Sequence, residues 1–502
     1  MASPSLAARV LTGTTARASY AAATYAATPV PTARELHVLN RMGCGFTPAG
    51  LRELRAAGSP AAWFERQLAP ASITDTTRAN AVRTWFPELV NRTPAQKWTS
   101  NRTGGRQGWE YARDLSNYSL LKRIYSRRTV LESMTLFWTD HFHVHGEHFP
   151  AFTQRAAYDA TIRTHALGRF EDLLVACALH PAMLLYLDNF KSVRNAPNEN
   201  QGRELLELHT VGREAGYTEQ MVKDSATILS GWTVEWDTFV GYYSTGRHTT
   251  GPVSVLGFSR SNASDDGRQL TRDYLRHLAR HPATAQRICR KLATRFVSDH
   301  PSQALVDSLA ATYRSSGTDI SAVLRKLVRS DEFWASAGKK VRTPVDDLVH
   351  TYRVLGARVE KPVDLESCAH TLSWQLNSTL VAQWPTPAGP PERAQDWASP
   401  SRMLNSFDMH WSVAAGWWPR NQVTHRTAAS WLPKSSIRFD QLVDHLSRVV
   451  LGRRSTNRLL QACVEATGIS PSQVITKDHG LVRWGMYRLL GVLLDSPAHM
   501  TR

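Results

Sequence analysis

The stretch TPAGLRELRAAGSPAAWFERQL (residues 47–68) holds two complete helix starts and one stop. Thr47 stands where an N-cap side chain accepts from the backbone of the first turn, and Pro48 follows at the first helical position. Gly58 ends the segment. Ser59-Pro60 repeats the device before AAWFERQL. The same punctuation recurs in both directions along the chain. Apolar residues at helical spacing (Leu120, Ile124, Leu131, Met134, Trp138) mark Trp109 to Phe142 as helical. Phe170 to Leu187 is a second such run, broken near His180-Pro181, where proline cannot continue the ladder. Thr218 caps EQMVKDSATILSGW, which ends at Gly231. Further helices are expected over 269–280, 282–297, 301–314, 320–329 and 344–355. The expected fold is therefore mainly α-helical, a multi-helix globular bundle.

One region breaks the pattern. From Trp232 to Phe258, aromatic and β-branched residues alternate with polar ones, cut by Gly241, Gly246, Gly251 and Gly257. This predicts a small inserted β-hairpin region over 232–258. The Pro-rich passage PTPAGPPERAQDW (385–397) is either a linker, and so a sub-boundary, or a buried loop.

The chain has 502 residues, about three domains' worth on length alone. Lys and Arg exceed Asp and Glu by 17 charges, which excludes an acidic solvating protein and favours anionic partners without naming one. The five cysteines are widely spaced with no CxxC, so a disulfide framework or structural zinc is not expected. No stretch approaches the ~18 apolar residues of a membrane span. Residues 1–32 read as a flexible lead-in without a signal-type apolar run, 33–502 as the folded unit, and the protein as cytoplasmic.

Two polar stretches could carry chemistry. FWTDHFHVHGEH (137–148) offers His141 and His145 on one face if helical; if extended, His141, His143 and His145 point the same way. In NENQGRELLELHT (198–210), taken as a helix, Glu204 and Glu207 share a face, Asn200 joins Glu204, and Arg203 reaches Glu207. A leucine flank partly buries these carboxylates, so each needs a cation, a donor or a metal. The first stretch can supply partners, so the two are expected to pack together. The set reads as a satisfied hydrogen-bond network, as a divalent metal site drawing on His141, His145, Glu204 and Glu207, or as a metal-free acid/base site. HEXXH, ExxH, GxSxG, P-loop and GxGxxG patterns are all missing. Separately, Arg287, Lys291 and Arg295 align at i, i+4, i+8 beside Ile288, Leu292 and Phe296. That row is either an ordinary solvated basic face or a non-specific track for phosphates.

Together these stretches resemble the bacterial family called domain of unknown function 1800, from about Glu35 to the C-terminus. HVLNRMGCGFTPAGLRELRAAG resembles its entry helix pair, TLFWTDHF its Phe-Trp-x-x-His-Phe signature (Phe137, Trp138, His141, Phe142), and LYLDN (185–189) with NENQGRELLELHTVG (198–212) its most characteristic stretch. GYTEQMV, LSGWTV, HPATAQRICRKLATRFV, SDEFW and KVRTPVDDLV follow in order. The resemblance implies a mainly helical protein without established activity. It implies a plausible partner in a neighbouring phosphatase-like family, and relatives that often look exported. The chain departs from the pattern at His248-Thr249-Thr250-Gly251, where Thr249 and Val253 replace an Asp and a Lys. Two functions are expected as alternatives. One is a hydrolytic or acid/base enzyme with Glu204, Glu207, His209 and His141 as catalytic groups. Arg203, Asn198, Glu199, Asn200, Trp138, Asp188 and His248 would then bind. The other is a non-catalytic protein docking an acidic partner or polyanion.

Overall fold

The computed structural model describes residues 20–377 and 380–502. Among them are 26 α-helices and four two-stranded antiparallel ribbons, a mainly helical protein. The punctuation works as its chemistry requires. Thr47 Oγ1 accepts from Gly50 N at 2.9 Å ahead of Pro48–Ala56, and Ser59 Oγ accepts from Ala62 N at 3.1 Å ahead of Pro60–Leu68. The single long helical run expected over 109–142 is instead two helices, Gly108–Tyr125 and Thr129–His141. The break is held by Asp75, whose carboxylate accepts from Ser126 Oγ (2.9 Å) and Arg127 N (2.8 Å). A residue some fifty positions away thus interrupts a locally favourable helix.

The hairpin insertion is two ribbons: Trp232–Val234 pairs with Gly241–Tyr243, and Val253–Val255 with Phe258–Arg260. The second turns through Leu256 and Gly257, both at positive φ (46° and 84°), the conformation a two-residue hairpin needs. Two further ribbons, Arg358–Val359 with Val423–Thr424 and Ser436–Arg438 with Val474–Thr476, escaped the sequence reading.

The helices enclose two hydrophobic clusters. One joins Trp138, Phe142, Phe170, Leu205, Leu206, Leu292 and Phe296. The other joins Leu115, Leu136, Leu348, Tyr352, Leu446 and Leu489. The Thr129–His141 helix gives Phe137 and Trp138 to the first and Leu136 to the second, so it forms the wall between them. The Pro-rich passage folds against the end of this wall and ends in a short helix, Ala394–Trp397. At Gly389 it passes so close to the Asp140 carbonyl that a side chain there would overlap it. Of the lead-in expected over 1–32, residues 1–19 lie outside the described residues. Farther on, Tyr25 N donates to Asp444 (2.7 Å) and Thr28 Oγ1 bonds His445 Nδ1 (2.6 Å). All five cysteines are buried and free, and burial pushes the Cys177 thiol up to about 12. No helix is long and apolar enough to cross a membrane among the described residues.

Candidate functional site

The Thr129–His141 helix delivers its last residues to the place where the two clusters meet. Trp138 anchors the end by donating from Nε1 to the Ala166 carbonyl at 2.9 Å. His141 is buried, with Nε2 at 3.1 Å from the His209 carbonyl and Nδ1 at 2.9 Å from Lys291 Nζ. The carbonyl requires a proton on Nε2, so Nδ1 is the lone pair that accepts from the lysine ammonium. Burial and the Lys291 charge hold His141 far below its ordinary pKa, as this neutral form demands. Burial likewise lowers Lys291 to about 8. The Phe142 and His209 rings meet at a tilt of 45°, their centroids 5.3 Å apart. The two polar stretches singled out in the sequence do pack together here.

The carboxylates do not join them as expected. Glu199–Glu204 is an α-helix, but Leu205–His209 continues as a π-helical turn, which adds a residue to the turn and rotates everything after it. The expected Arg203–Glu207 pair is lost. Arg203 reaches Glu219 (2.7 Å) and Glu199 (3.4 Å) instead, while Glu207 pairs with the exposed Arg213 at 2.6 Å. Glu204 lies half-buried near Tyr186, its carboxyl raised by burial and by Glu207. The expected metal set is not assembled either, since His141 has both ring nitrogens engaged. His145 spends Nδ1 on the Glu147 amide (3.2 Å).

The remaining expected residues serve local structure. Asn198 caps its helix through Asn200 N (2.9 Å), and Asp188 pairs with Lys191 (2.9 Å). His248 is buried between Ser230 O (3.0 Å) and Asn262 Oδ1 (2.8 Å). Thr249, standing where the resemblance has an Asp, accepts from Asn195 N at 3.0 Å.

The residue the sequence reading passed over is Asp140. It lines a cavity of about 40 Å³ together with Leu136, Arg295, Trp384, Glu392 and Trp397. That volume admits a few waters. Its carboxyl makes no hydrogen bond or ion pair with another described residue. Burial, reinforced by Glu392, pushes it well above the usual carboxylate range against the opposing charges of Arg295, Arg123 and Lys291. Glu392, in contrast, is paired with Arg295 at 3.0 Å. Arg295 also reaches Asp346 at 3.1 Å, where Arg123 (2.7 Å) and Arg502 (3.0 Å) converge. On their helix, Pro282–Phe296, Arg295 is therefore buried under Glu392 of the Pro-rich passage, and Lys291 is turned to His141, half-buried.

A family model described as protein of unknown function (DUF1800) matches residues 37–501. The chain belongs to the DUF1800 family. No curated protein and no solved structure matches it. In this DUF1800 chain the signature around Phe137 to Phe142 thus supplies Trp138 as an anchor, Asp140 to a cavity and His141 to a lysine.

A second buried cluster was invisible in the sequence. Asp347, His410 and His499 place donor atoms within 4.8 Å of one another, close enough to hold a metal ion. As they stand, His410 Nε2 faces Asp347 (3.1 Å) and Nδ1 faces Asp495 (2.8 Å). Both neighbours only accept, so the ring carries two protons and offers a metal no lone pair. The two carboxylates, working against burial, raise His410 to about 9. No local spacing could have revealed this cluster, because its members come from three distant helices.

Proposed function

We propose that this DUF1800 protein is an acid–base enzyme of hydrolytic type, with Asp140 as the proton donor and Glu392 as the base. The observation that carries this reading is the Asp140 carboxyl, unpaired and facing a cavity that also receives an ion-paired Glu392. A carboxyl held protonated by its surroundings beside an ion-paired carboxylate is a recurring arrangement for acid/base work near neutral pH. Asp140 keeps its proton for a leaving group, while Glu392, oriented by Arg295, draws one from water. Lys291, steadied by His141, keeps a positive charge close to the cavity and His141 serves as a positioning residue. Glu204, Glu207 and His209 take no part in this scheme.

The first test is infrared difference spectroscopy of the protein against Asp140→Asn. A neutral carboxyl band present at pH 7 and absent from the variant is expected; a band already lost at that pH overturns the proposal. A hydrolase panel of carboxyl esters, phosphoesters, glycosides and peptides should then show turnover that both Asp140→Asn and Glu392→Gln abolish. Of the basic row, Arg295 is buried against Asp346 and Lys291 is half-buried against His141, so neither adds a free charge to a docking surface.

A further inference from the structure

A larger hollow lies elsewhere, between the Asn457–Thr467 helix and the chain's last two helices, Met486–Leu494 and Pro497–Met500. It measures about 700 Å³, within the ~300–1,000 Å³ range of small-molecule sites. Leu451, Leu459, Ala462, Val492 and Pro497 give it an apolar body. Arg453, Arg454 and Arg458 stand around it, exposed and without an ion pair among the described residues. A second hollow of about 300 Å³ shares Gly338, Arg453 and Arg454 with the first, so these arginines sit between the two.

Two details point to a ligand rather than an incidental dent. Ser447 lines the hollow, fully buried, and its hydroxyl has no hydrogen-bond partner among the described residues. A buried hydroxyl left unpaired costs free energy unless something else satisfies it. The one carboxylate in the wall, Asp495, is already engaged by His410 (2.8 Å) and Trp411 Nε1 (3.0 Å). It therefore does not cancel the three free guanidinium groups. Arginine in such numbers suits a carboxylate or phosphate, which its planar fork can grip with two hydrogen bonds.

We infer that this hollow binds an amphipathic anion, an aliphatic chain ending in a carboxylate or phosphate. The chain would lie against Leu459, Ala462 and Val492, and the head group against Arg453, Arg454 and Arg458. This site is separate from the Asp140 cavity and stands or falls independently of it.

Isothermal titration with sodium dodecanoate and with dodecyl phosphate tests the inference, and the two arms tell carboxylate from phosphate. Saturable one-site binding of at least one probe is expected. Dodecanol and inorganic phosphate should each bind about tenfold more weakly or worse, since each lacks one half of the recognition. The triple variant Arg453→Ala/Arg454→Ala/Arg458→Ala, all at exposed positions, should lose about tenfold or more in affinity with an unchanged melting curve. Ala462→Trp should block the chain and abolish binding. The inference is overturned by any of three results: no saturable binding, dodecanol or inorganic phosphate binding as tightly as the amphipathic probes, or a triple variant that binds like the parent.

Discussion

Replacing Asp346 by Asn should unfold this protein more readily than any surface change. Three guanidinium groups converge on the Asp346 carboxylate: Arg123 at 2.7 Å, Arg295 at 3.1 Å and Arg502 at 3.0 Å, with every side chain at or below 5% exposure. Asparagine keeps the shape and removes the charge. Arg295 retains Glu392 at 3.0 Å, but Arg123 loses its one carboxylate partner among the described residues, where its Nε and Nη1 already lack partners. Stranding a buried charge in this way costs about 3–5 kcal/mol. Urea unfolding followed by tryptophan fluorescence at pH 7 should shift its midpoint accordingly, with the slope unchanged. Adding Arg123→Met to Asp346→Asn removes the stranded charge and should restore part of the loss. The pH dependence follows in sign. The three arginines hold Asp346 well below its ordinary pKa, so its contribution is complete above about pH 4 and fades as pH falls further. A single variant within 1 kcal/mol of the parent, or a double variant no better than the single, would refute the view that Asp346 neutralises buried guanidinium groups that nothing else can.

His410 makes the opposite pH prediction. Its pKa is raised from 6.5 to about 9, so its contribution is full below pH 6.5 and is lost as pH rises through about 9. The span corresponds to about 3 kcal/mol. Burial lowers Lys97, Lys291 and Lys340 to about 8, which acts in the reverse sense at higher pH. The quantity to measure is therefore the difference between the parent and His410→Gln, which should shrink from pH 6 to pH 9.5; a constant difference contradicts the assignment. Glu207→Ala should cost less than about 1 kcal/mol, because its partner Arg213 is 77% exposed. A larger loss in thermal melts would restore Glu207 to the buried network.

The helices were legible because their determinants lie within a few residues of each other. Thr47, Ser59 and Thr218 each cap the backbone three positions ahead, and the turn at Leu256-Gly257 needs only its own two residues. The contact between His141 and the 198–209 stretch was legible too, since polar groups among leucines must find partners. Register was not. The chain turns π-helical at Leu205–His209, so Glu207 and Arg203 face other partners than helical spacing allows.

The sequence by itself determined the helical class, the inserted ribbons and the family, all of which rest on local patterns or on their order. Only the tertiary structure decided which charges are buried. Arg295 looked like part of a solvated row until Asp346, 51 positions away, and Glu392, 97 positions away, were brought against it. Asp140 looked like an ordinary acid at a helix end until the Pro-rich loop closed its cavity. Backbone preference is set by neighbours along the chain, but the solvation of an ionisable group is set by whatever folds across it. That is why the elements could be read in advance and the chemistry could not.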